Sequence, residues 1–208
     1  MKRLAIFGAG GHGKVVAEIA QLSGWSDIVF FDDNDRNTKL ENWPIQGNLK
    51  KFLSSSKEYD GSFVAIGDNQ IRLQIVKLLL SDRKNNLVSL IHPNAIISEL
   101  SKVGLGSVVM AGSIINPFSS IGISNIINTN SVIEHDNLVG DYVHISPGVN
   151  IAGSVTIGQE SWIGIGSSIK QNISIGSNVI VGLGSVVLED LPDNVVAFGS
   201  PAKIDLQC

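Results

Sequence analysis

Cysteine is nearly missing from the chain: there is one in 208 residues, and it is the last, Cys208. An intramolecular disulfide is therefore excluded, and a reducing cytoplasm is the expected compartment. Charge is scarce as well, at 16% of residues against roughly 25% in an ordinary domain. No apolar run approaches the roughly 18–20 residues that cross a bilayer, so membrane insertion is not expected. The opening MKRLAIFGAGGHG breaks into glycines before a signal-peptide core can develop. A formal charge of −4 sets up no field that attracts a polyanion, so nucleic acid is not an expected partner. Six prolines and no low-complexity tract argue against disorder. What the chain has in excess is glycine, 22 of 208 against a usual ~7%.

The charges divide unevenly. Residues 1–96 hold 12 Lys and Arg against 10 Asp and Glu, whereas residues 97–208 hold Lys102, Lys170 and Lys203 against nine acids. Such a shift marks a domain boundary near His92-Pro93, dividing residues 1–90 from 91–208. The first part alternates strands and helices. Leu4–Phe7, Ile28–Phe31 and Ser62–Gly67 read as strands, and Lys14–Leu22 reads as a helix. A second helix runs from Asn69 to Leu80, with Ile71, Ile75, Leu78 and Leu79 on its inner side. The pattern is βαβ, a Rossmann-like half-domain with a parallel sheet. Gly8-Ala9-Gly10-Gly11-His12-Gly13 fits G-x-G-x-x-G between a strand and a helix, and Asp32 closes the strand that follows. A tight turn whose amides face a helix amino end can hold a phosphate, with the carboxylate open to sugar hydroxyls. About 90 residues are too few for a full dinucleotide fold, so a nucleotide sugar is the better-sized ligand.

The second part is a repeat. Stepping by six from Ile91 to Val187, seventeen consecutive positions are Ile or Val. Four residues after each stands mostly a slim residue such as Ser107, Ser113, Asn125 or Asn137. Glycine often follows the aliphatic directly, as at Gly104, Gly122, Gly140, Gly158 and Gly176. Aliphatics stacked inside flat-faced coils, with small residues at the corners and glycines taking the turn dihedrals, make a parallel β-helix. Two of the four histidines fall in it, His135 beside Asp136 and His144 nine residues on. A corner imidazole beside a carboxylate is either a poised base or a solvated corner histidine. His144 is either a packed imidazole or a ligand contact. Two coil histidines nine apart, with His92 at the edge, do not make a three-histidine zinc site, so no metal is expected.

These hexads resemble the hexapeptide-repeat acyltransferases, as does the ending Gly199-Ser200-Pro201-Ala202-Lys203. Together with Gly10-Gly11-His12-Gly13 and Asn130-Ser131-Val132-Ile133-Glu134-His135, nearly the whole chain resembles one group of bacterial sugar acetyltransferases. That group includes the sialic acid O-acetyltransferases and the UDP-4-amino-sugar N-acetyltransferases of the bacillosamine pathway. The resemblance implies a left-handed β-helix of between five and six coils, a homotrimer with active sites between subunits, and acetyl-CoA as co-substrate. It implies transfer to the 4-amino group of a UDP-linked 4-amino-4,6-dideoxy sugar. Alternatives are O-acetylation of a sialic acid, another nucleotide amino sugar such as GDP-perosamine, or a non-catalytic nucleotide-binding β-helix. Residue by residue it makes His135 the base and Asp136 its orienting partner, and it gives acetyl-CoA contacts to His144, Ile165 and Leu183. Gly164 and Gly182 would let the pantetheine approach. Lys170 and Lys203, the positive charges of the later coils, are either partners of the CoA phosphates or ordinary solvated lysines. The nucleotide sugar falls to Gly10, Gly11, His12, Asp32, Asp33, Ile66 and Gly67.

Overall fold

Leu4, Ala5 and Ile6 are fully buried, as the central strand of a parallel sheet requires when both its faces are covered. They belong to β1 (Arg3–Phe7), which lies between β2 (Asp27–Phe31) and β5 (Gly61–Val64), all parallel. The computed structural model describes residues 2–34, 38–81 and 86–205. Cys208 lies outside them. Two compact units divide between Pro93 and Asn94. The first carries the sheet with α1 (Gly11–Leu22) and, after β5, α3 (Asn69–Leu80). Between β2 and β5 it adds a short hairpin, β3 (Lys39–Leu40) with β4 (Trp43–Pro44), and α2 (Leu49–Ser55). The expected face of α3 is corrected. Ile71 and Leu78 are exposed, and Arg72, Ile75, Val76 and Leu79 are buried. A polar residue on the inner face misled the periodicity.

In the second unit each two-residue strand ends on a residue of the six-step ladder, from Ile96–Ile97 to Val186–Val187. From Ile96–Ile97 to Ser168–Ile169 each strand pairs in parallel with the third strand after it, so Ile115 lies between Ile97 and Ile133. Three strands therefore complete one turn, and the ladder from Val109 to Val187 is buried as a single stack. This is the parallel β-helix that the hexads imply. Slim corner residues link successive coils. The Ser119 hydroxyl donates to Glu134 O at 2.7 Å and accepts from Asn137 N at 3.2 Å. Asn137 in turn accepts from Val155 N at 2.8 Å.

The glycines after the aliphatics do a different job from the one expected. Gly122 and Gly140 do not have positive φ. A Cβ on Gly140 would lie 2.7 Å from Gln159 N, and one on Gly122 would lie 2.7 Å from Gly140 C. Close stacking of coil on coil selects them. The left-handed turn positions belong to Asn130, Asp136, Asn172 and others, including Gly166 and Gly184. At the carboxyl end the antiparallel hairpin Val196–Gly199 and Ala202–Ile204 continues the face of Ile180–Val181, which would otherwise end in an open edge. Among the described residues no helix is long and apolar enough to cross a membrane.

Candidate active site

The strands Val132–Ile133 and Leu138–Val139 meet at a corner whose tip is His135-Asp136. The turn needs a left-handed residue at its third position, and Asp136 supplies it with φ 60°. Short polar side chains tolerate that region better than most. The geometry aims the carboxylate back at its neighbour, with Asp136 Oδ2 2.7 Å from His135 Nδ1. An ionised carboxylate only accepts, so Nδ1 donates to it, and in the neutral ring the lone pair is on Nε2. Both side chains remain more than half exposed, at 58% and 55%, so this lone pair is open to a substrate.

His144 stands on the strand His144–Ile145, on a different face from either strand of that corner. Its ring is stacked on Trp162, centroids 5.4 Å apart and planes within 2°. Trp162 Nε1 donates to Ser146 Oγ at 2.8 Å. Asn128 Oδ1 accepts from Thr129 N, which turns its Nδ2 toward His144 Nε2 at 3.2 Å. With the amide so oriented, His144 Nε2 accepts and the ring carries its proton on Nδ1. Trp162 also walls an apolar groove of about 200 Å³, lined further by Ser146, Ile165, Ile180 and Leu183. Ile165 and Leu183 are exposed turn residues. The structure thus brings His144, Ile165 and Leu183 around one corner and leaves His135 and Asp136 at another. Gly164 and Gly182 line the groove as well, and the next coil leaves no room for a side chain at either. A Cβ on Gly164 would strike Leu183 N at 2.7 Å, and one on Gly182 would strike Phe198 Cβ at 2.6 Å. Lys203 reaches Glu189 at 3.9 Å, and Lys170 is exposed.

In the first unit the glycine loop divides in two. Gly8, at φ +107°, abuts Ala65 O, and Gly13 is packed against Gly8 and the Phe30 ring. Gly10, Gly11 and Gly67 have open space where a side chain would point. Asp32 Oδ2 accepts from Ala9 N at 2.6 Å and Oδ1 from Asn34 N at 2.8 Å, so its carboxylate already fastens the loop to the end of β2. Asp33 accepts from Leu49 N at the start of α2. Ile66 and Gly67 present their carbonyls to the buried Arg72 guanidinium, each 3.0 Å from Nη1, and Arg72 Nη2 donates to Asn69 Oδ1 at 2.6 Å. His12 Nε2 is buried without a hydrogen-bond partner among the described residues. Burial, aided by the Arg72 charge, lowers the His12 pKa to about 4, so the ring is neutral at pH 7. A cavity of about 320 Å³ opens beside Asp32, lined also by Thr38, Gln46, Asn48 and Lys51. Sequence reasoning missed these last four. Their one signal was a polar cluster following a strand end. Among the described residues no group of three or more His, Cys, Asp or Glu could hold a metal.

Comparison with known proteins places this geometry beside characterised chains. Residues 3–79 match the PglD N-terminal domain family. A curated UDP-N-acetylbacillosamine N-acetyltransferase of Bacillus subtilis (strain 168) is 37% identical over 117 residues, 52% of this chain and 51% of that protein. The match thus spans about half the length of that relative. The acetyltransferase domain of PglB from Neisseria gonorrhoeae FA1090, solved in complex with acetyl coenzyme A, superposes with a TM-score of 0.94. It is 40% identical over 98% of both chains. PerB from Caulobacter crescentus, solved in complex with CoA and GDP-perosamine, has a TM-score of 0.91 and 36% identity over 99% of this chain and 98% of that one.

Proposed function

The chain belongs to the hexapeptide-repeat nucleotide-amino-sugar N-acetyltransferases, and from that premise we propose that it acetylates the 4-amino group of a UDP-linked 4-amino-4,6-dideoxy sugar with acetyl-CoA. The observation that carries the reading is the His135–Asp136 pair, 2.7 Å apart at an exposed corner with Nε2 unencumbered. The amine nitrogen attacks the thioester carbonyl while His135 Nε2 takes its proton. Asp136 holds the tautomer and stabilises the imidazolium that forms. Collapse of the tetrahedral intermediate breaks the C–S bond, and the imidazolium returns its proton to the departing CoA thiolate. No acyl-enzyme is needed, since amine and thioester react directly in a ternary complex.

The apolar groove at Trp162, Ile165 and Leu183 suits a pantetheine arm, with His144 at its end. Gly10, Gly11 and Gly67, whose missing side chains leave space, and the cavity by Asp32, with Lys51 as its cation, suit a nucleotide diphosphate. His12, Asp33 and Ile66 complete that end. Acetyl-CoA and the nucleotide sugar are thus the two small-molecule partners, and the cytoplasm, where CoA and a nucleotide sugar coexist, is the compartment. His135 and His144 stand on different parts of the coil, which favours a homotrimer whose sites combine residues of adjacent subunits. GDP-perosamine is the competing acceptor, on the strength of the likeness to PerB.

The test is acetyl-CoA cleavage followed by thiol release over a panel of acceptors: a UDP-4-amino-4,6-dideoxy sugar, GDP-perosamine and free sialic acid. Turnover is expected to be fastest with the first. His135→Ala should lower kcat by roughly 10²–10⁴ with modest change in either KM. Asp136→Asn should cost less, because Asn also accepts the left-handed turn and leaves the imidazole in place. Hydroxyl acetylation alone would overturn the acceptor, and no thiol release with any acceptor would make the chain a binding protein.

A further inference from the structure

The corner that carries His135 recurs once per coil, placing Pro117 on one neighbouring coil and Gly153 on the other. Ser154 N donates to His135 O at 3.0 Å, so the two coils are in backbone contact at this point. A Cβ built on Gly153 would lie 2.5 Å from His135 Cε1, 2.6 Å from Nε2 and 3.1 Å from Nδ1. All three nearest atoms belong to the imidazole. This sets Gly153 apart from the glycines of the stacking column. Gly140 and Gly164 meet backbone atoms of the next coil, so a side chain there would disrupt the coil itself. Gly153 also lacks the positive φ that would make alanine costly. Backbone geometry does not demand glycine at 153. The ring of His135 does.

From this contact we infer that Gly153 is a positioning residue, whose missing side chain is the bed on which the His135 imidazole lies. The inference rests on the reading of His135 as the base. The bed fixes where Nε2 points, while Asp136 fixes which nitrogen holds the proton. Carbon atoms in contact sit about 3.5–4 Å apart, so a methyl at 153 must push the ring by about 1 Å. The exposed imidazole can yield toward solvent, which makes the change cheap for folding and expensive for alignment. Misplacing a reacting group by about 1 Å costs on the order of 10²-fold in rate.

The experiment is Gly153→Ala alone and in the His135→Ala background. In the single variant kcat should fall at least tenfold, with both KM values within about threefold and an unchanged thermal melt. The His135 signals in an imidazole-selective NMR spectrum should move. In the double variant kcat should equal that of His135→Ala, because no ring remains to be displaced. If Gly153→Ala melts early, the double variant should regain the lost Tm, since alanine at 135 leaves room for the methyl. A Gly153→Ala enzyme with more than half of wild-type kcat overturns the inference. So does a further loss of the same size in the double variant, which would assign the glycine to the bound thioester. A double variant that stays as unstable as the single one also overturns it. Should His135→Ala itself stay active, the base assignment falls and the inference falls with it. An inactive His135→Ala beside an active Gly153→Ala removes the inference alone.

Discussion

At the scale of single residues the first unit contains an imidazole and a guanidinium that share a buried neighbourhood. Arg72 is 1% exposed and spends its hydrogen bonds on the Ile66 and Gly67 carbonyls and on Asn69, so its charge braces the turn after β5. The same charge, added to burial, holds His12 at a pKa of about 4, below its ordinary 6.5. The unfolded chain therefore binds a proton at His12 between pH 6.5 and 4 that the folded chain refuses. Stability from this group is complete above pH 6.5 and is lost as pH falls through that window, by at most about 3 kcal/mol. His12→Gln should flatten that part of the curve, measured by urea unfolding at pH 7, 5.5 and 4.5. Parallel losses in wild type and variant would show that His12 is not the proton acceptor.

At the scale of elements, the loop between β1 and α1 contains glycines of two kinds, and mutation should separate them. Gly13 is packed against Gly8 and Phe30, so Gly13→Ala should destabilise the unit by a few kcal/mol. Gly11 faces open space, so Gly11→Val should leave the melt unchanged and raise the nucleotide-sugar KM by tenfold or more, about 1.4 kcal/mol. The acetyl-CoA KM should stay put. Equal weakening of both ligands would mean that the loop does not hold the nucleotide. The same contrast explains what sequence could and could not convey. The Ile/Val ladder was legible because a strict period of six over seventeen positions leaves little freedom, and burial follows the period from Val109 to Val187. The face of α3 was not legible, because Arg72 occupies an inward position that periodicity reserves for apolar residues. The reason for the column glycines was equally hidden. Whether a residue is glycine for its φ or for the backbone of the next coil depends on contacts a full coil away along the chain. The His135–Asp136 pair was readable as neighbours in sequence. The Trp162 stack on His144, one coil apart, was not.

At the scale of the whole molecule the question is which surfaces meet. The charge-poor positions Ile123, Ile126 and Tyr142 suggest burial against copies of this chain, but Ile126 and Tyr142 are covered within the chain itself, at 1% and 5% exposure, and Ile123 is half-buried. Apolar surface remains instead at Phe118, Leu138, Trp162, Ile165 and Leu183, all of them exposed. Phe118 and Leu138 flank the corner region of His135, and the other three belong to the groove by His144. In a cyclic trimer each interface joins one patch of a subunit to a different patch of its neighbour. In the homotrimer proposed above, the His135 corner of one subunit would meet the His144 groove of the next. Complementation between two impaired variants tests this directly. His135→Ala keeps its groove, and His144→Ala keeps its base. Mixed one to one by unfolding and refolding together, about three quarters of trimers hold both variants, and each of these has one complete site in three. Activity at acetyl-CoA below its KM should therefore rise to about a quarter of wild type, above the mean of the two variants refolded separately. Light scattering should report the mass of three chains throughout. Mixed trimers without recovered activity would place both histidines of a working site in one subunit, and a monomer would remove the shared site altogether.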